Sequence, residues 1–307
     1  MTSCVNMMTD FESAGMKNIT IVKDEPMSRH TSWRAGGVAR RYVQAATLEA
    51  LTSFISTVPE DEEILWMGLG SNTLVRDGGF NGTVIATQGL MTQLELLDET
   101  TIYVGAGVSG AKIARFCSRK NLSGADFFAG IPGLLGGALS MNAGAFGGET
   151  WPLVVEVETM NRKGEIKKRL ANEFEYSYRH VEGLDNEWFI SATLRLSKQH
   201  EDNEAIDIKQ LLAKRSATQP TGVASCGSVF RNPEGLYAAK LIEECGLKGK
   251  RIGGAIVSEK HANFIINDDK AKAADIESLI NFIQKVVAER CGVLLQPEVW
   301  IVGESEK

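Results

Sequence analysis

The chain lacks the features on which several protein classes depend. Its 307 residues contain no run of about 18 apolar residues, so we expect no membrane-spanning helix. The histidines His30, His180, His200 and His261 are isolated from one another, and no His/Cys cluster has metal-ligand spacing, so we expect no metal. The five cysteines are scattered and include no Cys-x-x-Cys pair, which is typical of reduced thiols in a cytoplasm.

Net charge and composition exclude further classes of protein. A net charge of −6 argues against a general surface for nucleic acid or anionic membrane. No continuous apolar segment occurs near the N-terminus, so we expect no signal peptide. With 43% apolar and 23% charged residues, the sequence is typical of a soluble globular protein. The length predicts two or three lobes.

Glycine is abundant in one stretch, Ala129–Glu149, where it occupies seven of 21 positions and no charge appears before Glu149. Each interior glycine costs a helix roughly 1 kcal/mol relative to alanine, so the stretch is a poor helix former. Such a run suits backbone that approaches a ligand closely, with amide groups directed at phosphate oxygens. A tightly packed turn of small residues explains it equally well.

Two shorter glycine motifs follow predicted strands. Gly68-Leu-Gly-Ser-Asn-Thr-Leu74 comes after the strand Glu63–Met67, at the strand end where α/β units commonly bind ligands; a plain β-turn is the alternative. Gly105-Ala-Gly-Val-Ser-Gly110 has the spacing of a dinucleotide fingerprint. The helix after it leads into Asn121–Gly124 rather than into a second strand ending in an acidic residue. A strand–turn–helix corner is therefore the better interpretation.

Periodicity and capping residues predict most other elements. Residues 1–28 are expected to be a helix or a loose lead-in, and 197–207 a linker. The other predicted elements are listed here in chain order: a strand at Arg40–Ala45; a helix capped by Thr47 with Leu48, Leu51, Phe54 and Ile55 on one face; a strand and helix over Thr101–Lys120; a hairpin of Val154–Arg162 with Glu165–Leu170; a strand at Phe189–Leu196; a helix at Tyr237–Cys245 ended by Gly246; a long helix carrying Ile276, Leu279, Ile280, Ile283, Val286 and Val287 and ended by Gly292; and a last strand with Gln296-Pro-Glu298.

Four polar residues invite a chemical interpretation, and each has a structural alternative. Arg179 is either a substrate cation or a surface ion-pair residue, and Ser228 is either a proton donor or a turn former. Glu298, beside apolar residues, is a candidate buried carboxylate of catalytic or structural use. Cys226 is more consistent with packing than with a nucleophile, because no His/Asp pair lies near it in sequence. His261 and Asn263 are expected to hold their lobe together.

An ordered set of motifs resembles the UDP-N-acetylenolpyruvoylglucosamine reductase family over residues 30–303. The set is Gly68-Leu-Gly-Ser-Asn72, Gly130-Ile-Pro-Gly133, Gly136-Gly-Ala138, Met141-Asn-Ala-Gly144, Tyr178-Arg179, Gly227-Ser-Val-Phe-Arg-Asn232-Pro and Gln296-Pro-Glu298. The chain resembles the shorter class of this family, since no room exists between Arg179 and Ser228 for the substrate-capping insertion of the longer class.

The resemblance implies an α+β fold. A two-lobed FAD-binding domain of the PCMH or vanillyl-alcohol-oxidase type would span 30–200, with lobes of about 30–97 and 98–200. Residues 1–29 would precede it, and an α/β substrate-binding domain would span 201–307. The implied reaction uses NADPH and non-covalent FAD to reduce UDP-N-acetylglucosamine enolpyruvate to UDP-N-acetylmuramate. We expect a cytoplasmic monomer or weak homo-oligomer with no nucleic-acid or membrane partner.

The resemblance also implies roles for individual residues. Arg179 and a protonated Glu298 would stabilise the enediolate that forms on the substrate carboxylate, and Ser228 would protonate the adjacent carbon. Tyr178, Arg231 and Asn232 would bind the substrate. The implied FAD contacts are Gly68, Gly70, Ser71, Asn72, Thr73, Leu74, Gly130, Ile131, Pro132, Gly133, Gly136, Gly137, Ala138, Asn142, Ala143 and Gly144.

Two other functions remain open from the sequence alone. An oxidase of the same FAD fold commonly holds its flavin covalently through a histidine in the glycine-rich regions. No histidine occurs in residues 68–77 or 129–149, which counts against it. A catalytically inactive nucleotide-binding module is the other possibility, and the intact set of Arg179, Ser228 and Glu298 argues against it.

Overall fold

The computed structural model describes residues 18–198 and 208–306. Before residue 199 the strands are β1 Ile19–Pro26, β2 Val38–Ala45, β3 Ile64–Met67, β4 Thr73–Val75, β5 Phe80–Ala86, β6 Leu94–Leu96, β7 Thr101–Gly105, β8 Leu122–Ser123, β9 Gly144–Ala145, β10 Gly148–Glu149, β11 Val154–Asn161, β12 Ile166–Leu170, β13 Glu175–Ser177, β14 His180–Glu182, β15 Glu187–Arg195 and β16 Ser197–Lys198. After residue 207 they are β17 Arg251–Ile252, β18 Ala255–Val257, β19 Ile265–Asn267 and β20 Trp300–Val302. The α-helices are α1 Leu48–Ile55, α2 Gly110–Arg119, α3 Leu135–Ser140, α4 Ile208–Thr218, α5 Ala238–Glu244 and α6 Ala273–Cys291.

The first sheet has the strand order β1-β2-β5-β3. β2, α1 and β3 form the predicted strand–helix–strand unit, and the Thr47 hydroxyl accepts the Ala50 N–H at 3.2 Å as the predicted cap. β5 lies between β2 and β3 and is parallel to both. The predicted helix or lead-in was wrong over residues 19–26, which form β1 antiparallel to β2. Residues 1–17 lie outside the described part of the chain.

The second sheet is antiparallel, with the strand order β12-β11-β15-β7-β6. It confirms the predicted hairpin of β11 with β12, the strand β15, and the succession of β7 and α2. Its inner face packs against α2, α3 and a turn of 3₁₀-helix at Asp126–Gly130 around the buried Phe128 and Trp151. The predicted linker at 197–207 falls mostly outside the described residues, and its first two residues form β16.

The glycine-rich stretch contains a short helix, α3, which its composition argues against. Leu135 and Leu139 are fully buried on one face of α3, and this packing outweighs the weak helix propensity of two glycines. The helix is anchored at its start because the N–H groups of Leu135 and Gly136 donate to the carbonyls of Val108 and Ala106, both at 2.9 Å.

The turn Gly105–Gly110 joins β7 to α2 as a packed corner. A Cβ on Gly105 or Gly107 would overlap the carbonyl oxygen of Met91 or Leu90, and one on Gly110 would lie 2.5 Å from that of Phe128. Close backbone approach within the protein therefore explains these glycines, as the sequence context predicted.

The C-terminal core is built around α5, α6 and the sheet β17-β18-β19. Both predicted helices are present, and Gly246 and Gly292 follow them with φ of +67° and +68°. The predicted last strand begins later than expected: Pro297 makes an isolated bridge to Phe230, and β20 starts at Trp300 and runs parallel to β4. Among the helices of residues 18–198 and 208–306, none combines the length and the apolar character that a membrane span requires.

Candidate active site

Arg179 lies in the two-residue loop of the β13–β14 hairpin, directly after Tyr178. Its φ of +57° is a backbone conformation in which glycine and asparagine are usual, so arginine here costs conformational energy. The side chain is held at three points: its Nε donates to Glu298 Oε1 at 3.1 Å, and its terminal nitrogens donate to the carbonyls of Asn142 at 3.3 Å and Gly144 at 2.7 Å. A residue that is strained and firmly held is typical of a functional site.

Glu298 reaches Arg179 because its segment pairs with the segment that carries Ser228. The Glu298 N–H donates to the Val229 carbonyl at 2.7 Å, and the Arg231 N–H donates to the Gln296 carbonyl at 2.9 Å. Asn263 fixes the other side of this segment, since its side chain accepts from the Phe230 N–H at 3.0 Å and donates to the Phe230 carbonyl at 2.8 Å. The sequence-based expectation that Asn263 holds the lobe together agrees with these contacts.

The Glu298 carboxyl is mostly buried, with 14% of its side chain exposed. Burial raises the pKa of this carboxyl, and the charges of Arg179 and Arg231 oppose the rise without cancelling it. Glu298 is therefore protonated more readily than an ordinary glutamate, although it lies beside a guanidinium.

Ser228 and Arg231 are the other predicted groups on this segment. The Ser228 hydroxyl is half-buried and makes no side-chain hydrogen bond within residues 18–198 and 208–306. The Arg231 guanidinium lies close enough to Glu298 to influence its pKa, and its buried Nε has no partner in the same described ranges. A half-buried hydroxyl and an unpartnered cation beside an acid leave hydrogen-bonding capacity for a bound molecule.

Tyr178 and Asn232 lie on the exposed side of the cluster formed by Arg179, Glu298 and Arg231. The Asn232 N–H lies 3.4 Å from the Tyr178 hydroxyl, and the Arg179 guanidinium lies 4.9 Å from the centre of the Tyr178 ring. Asn232 Oδ1 accepts the Ala238 N–H at 3.0 Å at the start of α5, so one of its groups has a structural role. Tyr178 as a whole remains 43% exposed.

The two glycine-rich loops of the predicted cofactor site lie against each other. A Cβ on Gly68 would lie 3.1 Å from the Leu134 side chain, and one on Gly133 would lie 3.4 Å from the Ser71 hydroxyl. The Asn72 side chain donates to the Glu298 carbonyl at 3.1 Å and to Met141 Sδ at 3.5 Å. The loops therefore meet beside the residues that surround Glu298.

The glycines of these loops separate into packed and open positions. Added Cβ atoms would contact protein atoms at Gly70, Gly130, Gly136 and Gly144. Gly137 has no atom within 4 Å of such a Cβ, and Gly133 has only the Ser71 hydroxyl. The backbone N–H groups of Ser71, Gly133 and Gly137 have no acceptor among the described residues. Free amides next to open backbone fit the diphosphate of a nucleotide cofactor.

The remaining predicted cofactor residues lie at different depths. Thr73 and Ile131 are half-buried and Pro132 is exposed. Ala138 and Ala143 are buried, and Leu74 and Asn142 are fully buried, so the structure gives these two side chains partners inside the protein. Leu74 packs into the C-terminal core.

Cys226 has the environment of a packing residue. It is 3% exposed, its thiol lies 3.4 Å from the Gly70 carbonyl, and burial raises its pKa to about 12. A thiol with this pKa is not a ready nucleophile at neutral pH.

Glu149 is a member of the site that sequence reasoning did not identify. Its Oε2 accepts from Asn142 Nδ2 at 3.1 Å, behind the two carbonyls that hold Arg179. The only available signal was its place as the first charged residue after the glycine-rich stretch.

Two family models match the chain in succession. The "FAD binding domain" model matches residues 39–169, and the "UDP-N-acetylenolpyruvoylglucosamine reductase, C-terminal domain" model matches residues 219–302. These matches agree with the predicted order of an FAD-binding domain followed by a C-terminal domain.

Proteins with the same family name are similar to this chain over nearly their whole length. The UDP-N-acetylenolpyruvoylglucosamine reductase of Legionella pneumophila strain Lens is 56% identical over 93% of this chain and 93% of its own. That of Methylococcus capsulatus is 53% identical over 94% of both chains. The crystal structure of the Thermus caldophilus enzyme has a TM-score of 0.76 at 29% identity, covering 92% of this chain and 98% of that one.

Proposed function

Because the chain belongs to the UDP-N-acetylenolpyruvoylglucosamine reductase family, a family of oxidoreductases, and carries an FAD-binding domain, we propose its specific reaction. The chain reduces UDP-N-acetylglucosamine enolpyruvate to UDP-N-acetylmuramate with NADPH as hydride donor, a step in peptidoglycan precursor synthesis. The observation that carries the proposal is the Arg179–Glu298 pair, which joins the FAD-binding region to the C-terminal segment beside Ser228.

The residues that would hold FAD are those of the two facing loops. The free amides of Ser71, Gly133 and Gly137 would bind the diphosphate, and the open backbone at Gly137 would allow it to approach. When bound, FAD supplies hydride transfer from NADPH to the terminal carbon of the enolpyruvyl group.

Arg179 would bind the carboxylate of the enolpyruvyl group. Each terminal nitrogen of its guanidinium keeps one N–H without an acceptor in the described part of the chain, and together these suit the two oxygens of a carboxylate. The fixed cation would stabilise the negative charge that moves onto this carboxylate as hydride is added.

Glu298 would donate a hydrogen bond to the same carboxylate. Its pKa is already raised by burial, and an incoming carboxylate adds a negative charge that raises it further. A protonated carboxyl is a donor that meets the developing enediolate without placing a second anion beside it.

Ser228 would deliver a proton to the carbon next to the carboxylate, which sets the configuration of the new lactyl centre. Its hydroxyl has no competing side-chain hydrogen bond within the described residues, so it is free to bond the substrate. Arg231 and Asn232 would also bind the diphosphate and sugar, with Tyr178 shielding the site.

Anaerobic absorption spectra of the purified protein test the proposal. We expect a yellow protein that bleaches with NADPH and regains its colour when UDP-N-acetylglucosamine enolpyruvate is added. If the protein bleaches with NADPH but does not regain its colour with this substrate, the result would support the flavin site and contradict the proposed reaction. A colourless protein that gains no flavin on incubation would contradict the proposed use of both loops.

A further inference from the structure

Asn142 is fully buried, and its side chain is used within the protein on every side. Its Nδ2 donates to Glu149 Oε2 and to the Ser177 carbonyl, both at 3.1 Å, while its Oδ1 accepts the Trp151 N–H at 3.0 Å. Both amide hydrogens are therefore occupied, and no exposed atom remains for a ligand. Its φ of +45° is a conformation that asparagine tolerates better than most residues.

These contacts connect Asn142 to Arg179 in two ways. The main-chain carbonyl of Asn142 accepts one guanidinium N–H, and the Asn142 amide binds the carbonyl of Ser177, the last residue of β13 before the loop that carries Arg179. The Gly144 carbonyl, which takes a further guanidinium N–H, lies two residues along the same turn. One buried amide thus fixes both the hairpin that presents Arg179 and the carbonyls that orient it.

We propose that Asn142 is a positioning residue for Arg179, which it sets for the substrate carboxylate, and that it does not bind the cofactor directly. The inference rests on the proposed role of Arg179. Substrate reduction depends on the direction of two guanidinium N–H groups, and a misplacement of about 1 Å can cost on the order of 10²-fold in rate. Glu149 supports the arrangement because it accepts one of the two Asn142 donors.

Asn142→Asp is the direct test, because it keeps the size of the side chain and replaces both donors with an acceptor. We expect the purified variant to retain its FAD and its rate of reduction by NADPH, while reoxidation by the enolpyruvyl substrate slows on the order of 10²-fold. The matched control is Asn161→Asp in the exposed β11–β12 turn, where Nδ2 also donates to a glutamate, Glu165, at 2.8 Å. We expect that control to behave like the parent protein.

Combining Asn142→Asp with Arg179→Lys separates positioning from a general structural role. If Asn142 acts through Arg179, the double variant reoxidises no more slowly than Arg179→Lys alone. Additive losses, or loss of FAD from Asn142→Asp alone, would overturn the Asn142 proposal and leave the role of Arg179 intact. Normal reoxidation by Arg179→Lys alone would instead contradict the proposed function and the inference with it.

Glu149→Ala provides a second variant in case Asn142→Asp does not fold, since Glu149 is only half-buried. Removing this acceptor loosens Asn142 without replacing it. We expect a smaller loss in the same half-reaction, again absent when Arg179 is already lysine. A Glu149→Ala protein with unchanged reoxidation would contradict the proposal on its own.

Discussion

At the residue scale, Glu298 combines burial with contact to an arginine, and the balance of the two determines when it carries a proton. Because its pKa is raised, the protonated donor is present at low pH and is lost as pH rises through that value. We expect the rate of reoxidation by substrate to fall on the alkaline side, while the rate of reduction by NADPH does not follow the same curve.

Glu298→Gln tests this assignment. The amide does not titrate and is a weaker donor than a carboxylic acid, so reoxidation should slow far more than reduction and lose its alkaline decline. Stopped-flow absorbance at several pH values measures both half-reactions. An unchanged reoxidation rate would assign Glu298 to structure alone.

The proposed proton-donor role of Ser228 can be tested by substitution in the same way. Ser228→Ala should leave reduction by NADPH nearly intact and slow reoxidation by about 10²–10⁴-fold, the usual contribution of a general acid. The control is Ser53→Ala on the exposed face of α1, where the hydroxyl bonds only its own helix. Equal survival of both half-reactions in Ser228→Ala would show that the proton comes from another group.

At the scale of elements, the glycines of α3 and those of the Gly105–Gly110 turn have different roles, and substitution separates the two. Gly137→Ala adds a methyl to open space and should stabilise α3 by about 1 kcal/mol in the FAD-free protein while weakening FAD binding. Gly107→Ala places a methyl on the Leu90 carbonyl and should destabilise the fold by about 1–3 kcal/mol or more. Thermal unfolding with and without FAD measures both effects, and tighter FAD binding by Gly137→Ala would contradict the proposed loop contact.

Elements with strong local signals were predictable. α1 follows from the Thr47 cap and its apolar face, and α6 from its period and Gly292. β1 was missed because its burial is irregular along the strand, and its edge position is fixed by pairing with β2. α3 was missed because propensity disfavours it, and only the packing of Leu135 and Leu139 explains it.

The proposed roles of the candidate-site residues also fall into those that sequence motifs indicated and those that only the structure indicates. Arg179, Ser228 and Glu298 were identified from ordered motifs, and the contact of Arg179 with Glu298 joins positions far apart in sequence. The proposed roles of Asn142 and Glu149 depend on which carbonyls and carboxylates surround a buried amide. Spacing along one chain carries no information about such contacts, and the family resemblance associated Asn142 with the cofactor.

At the scale of the whole molecule, the C-terminal core includes residues from the first part of the chain. Trp33 and Leu74 are buried in it, and β20 pairs with β4. Arg76 binds Glu277 on α6 at 2.8 Å, and the Asp77 carboxylate accepts the N–H groups of Ala273 and Ala274 at the start of that helix. The proposed domain boundary near residue 200 therefore separates two parts of the sequence, but residues from both parts pack in the same C-terminal core.

Trp33 provides the sharpest test of this shared core. It is fully buried, its Nε1 donates to the Ile265 carbonyl at 2.8 Å, and its own carbonyl accepts from Asn267 at 2.8 Å. Trp33→Phe leaves the Ile265 carbonyl without that donor and leaves a void, so the free energy of unfolding should fall by about 1–3 kcal/mol or more.

Because the core spans both parts of the chain, the loss of stability in Trp33→Phe should appear in a single unfolding transition. Trp300→Phe, at a residue that is 57% exposed, should change the free energy of unfolding by less than about 0.5 kcal/mol. Urea denaturation followed by circular dichroism and by tryptophan fluorescence measures both variants. Two separate transitions, with Trp33→Phe shifting only one, would show that the C-terminal part folds independently.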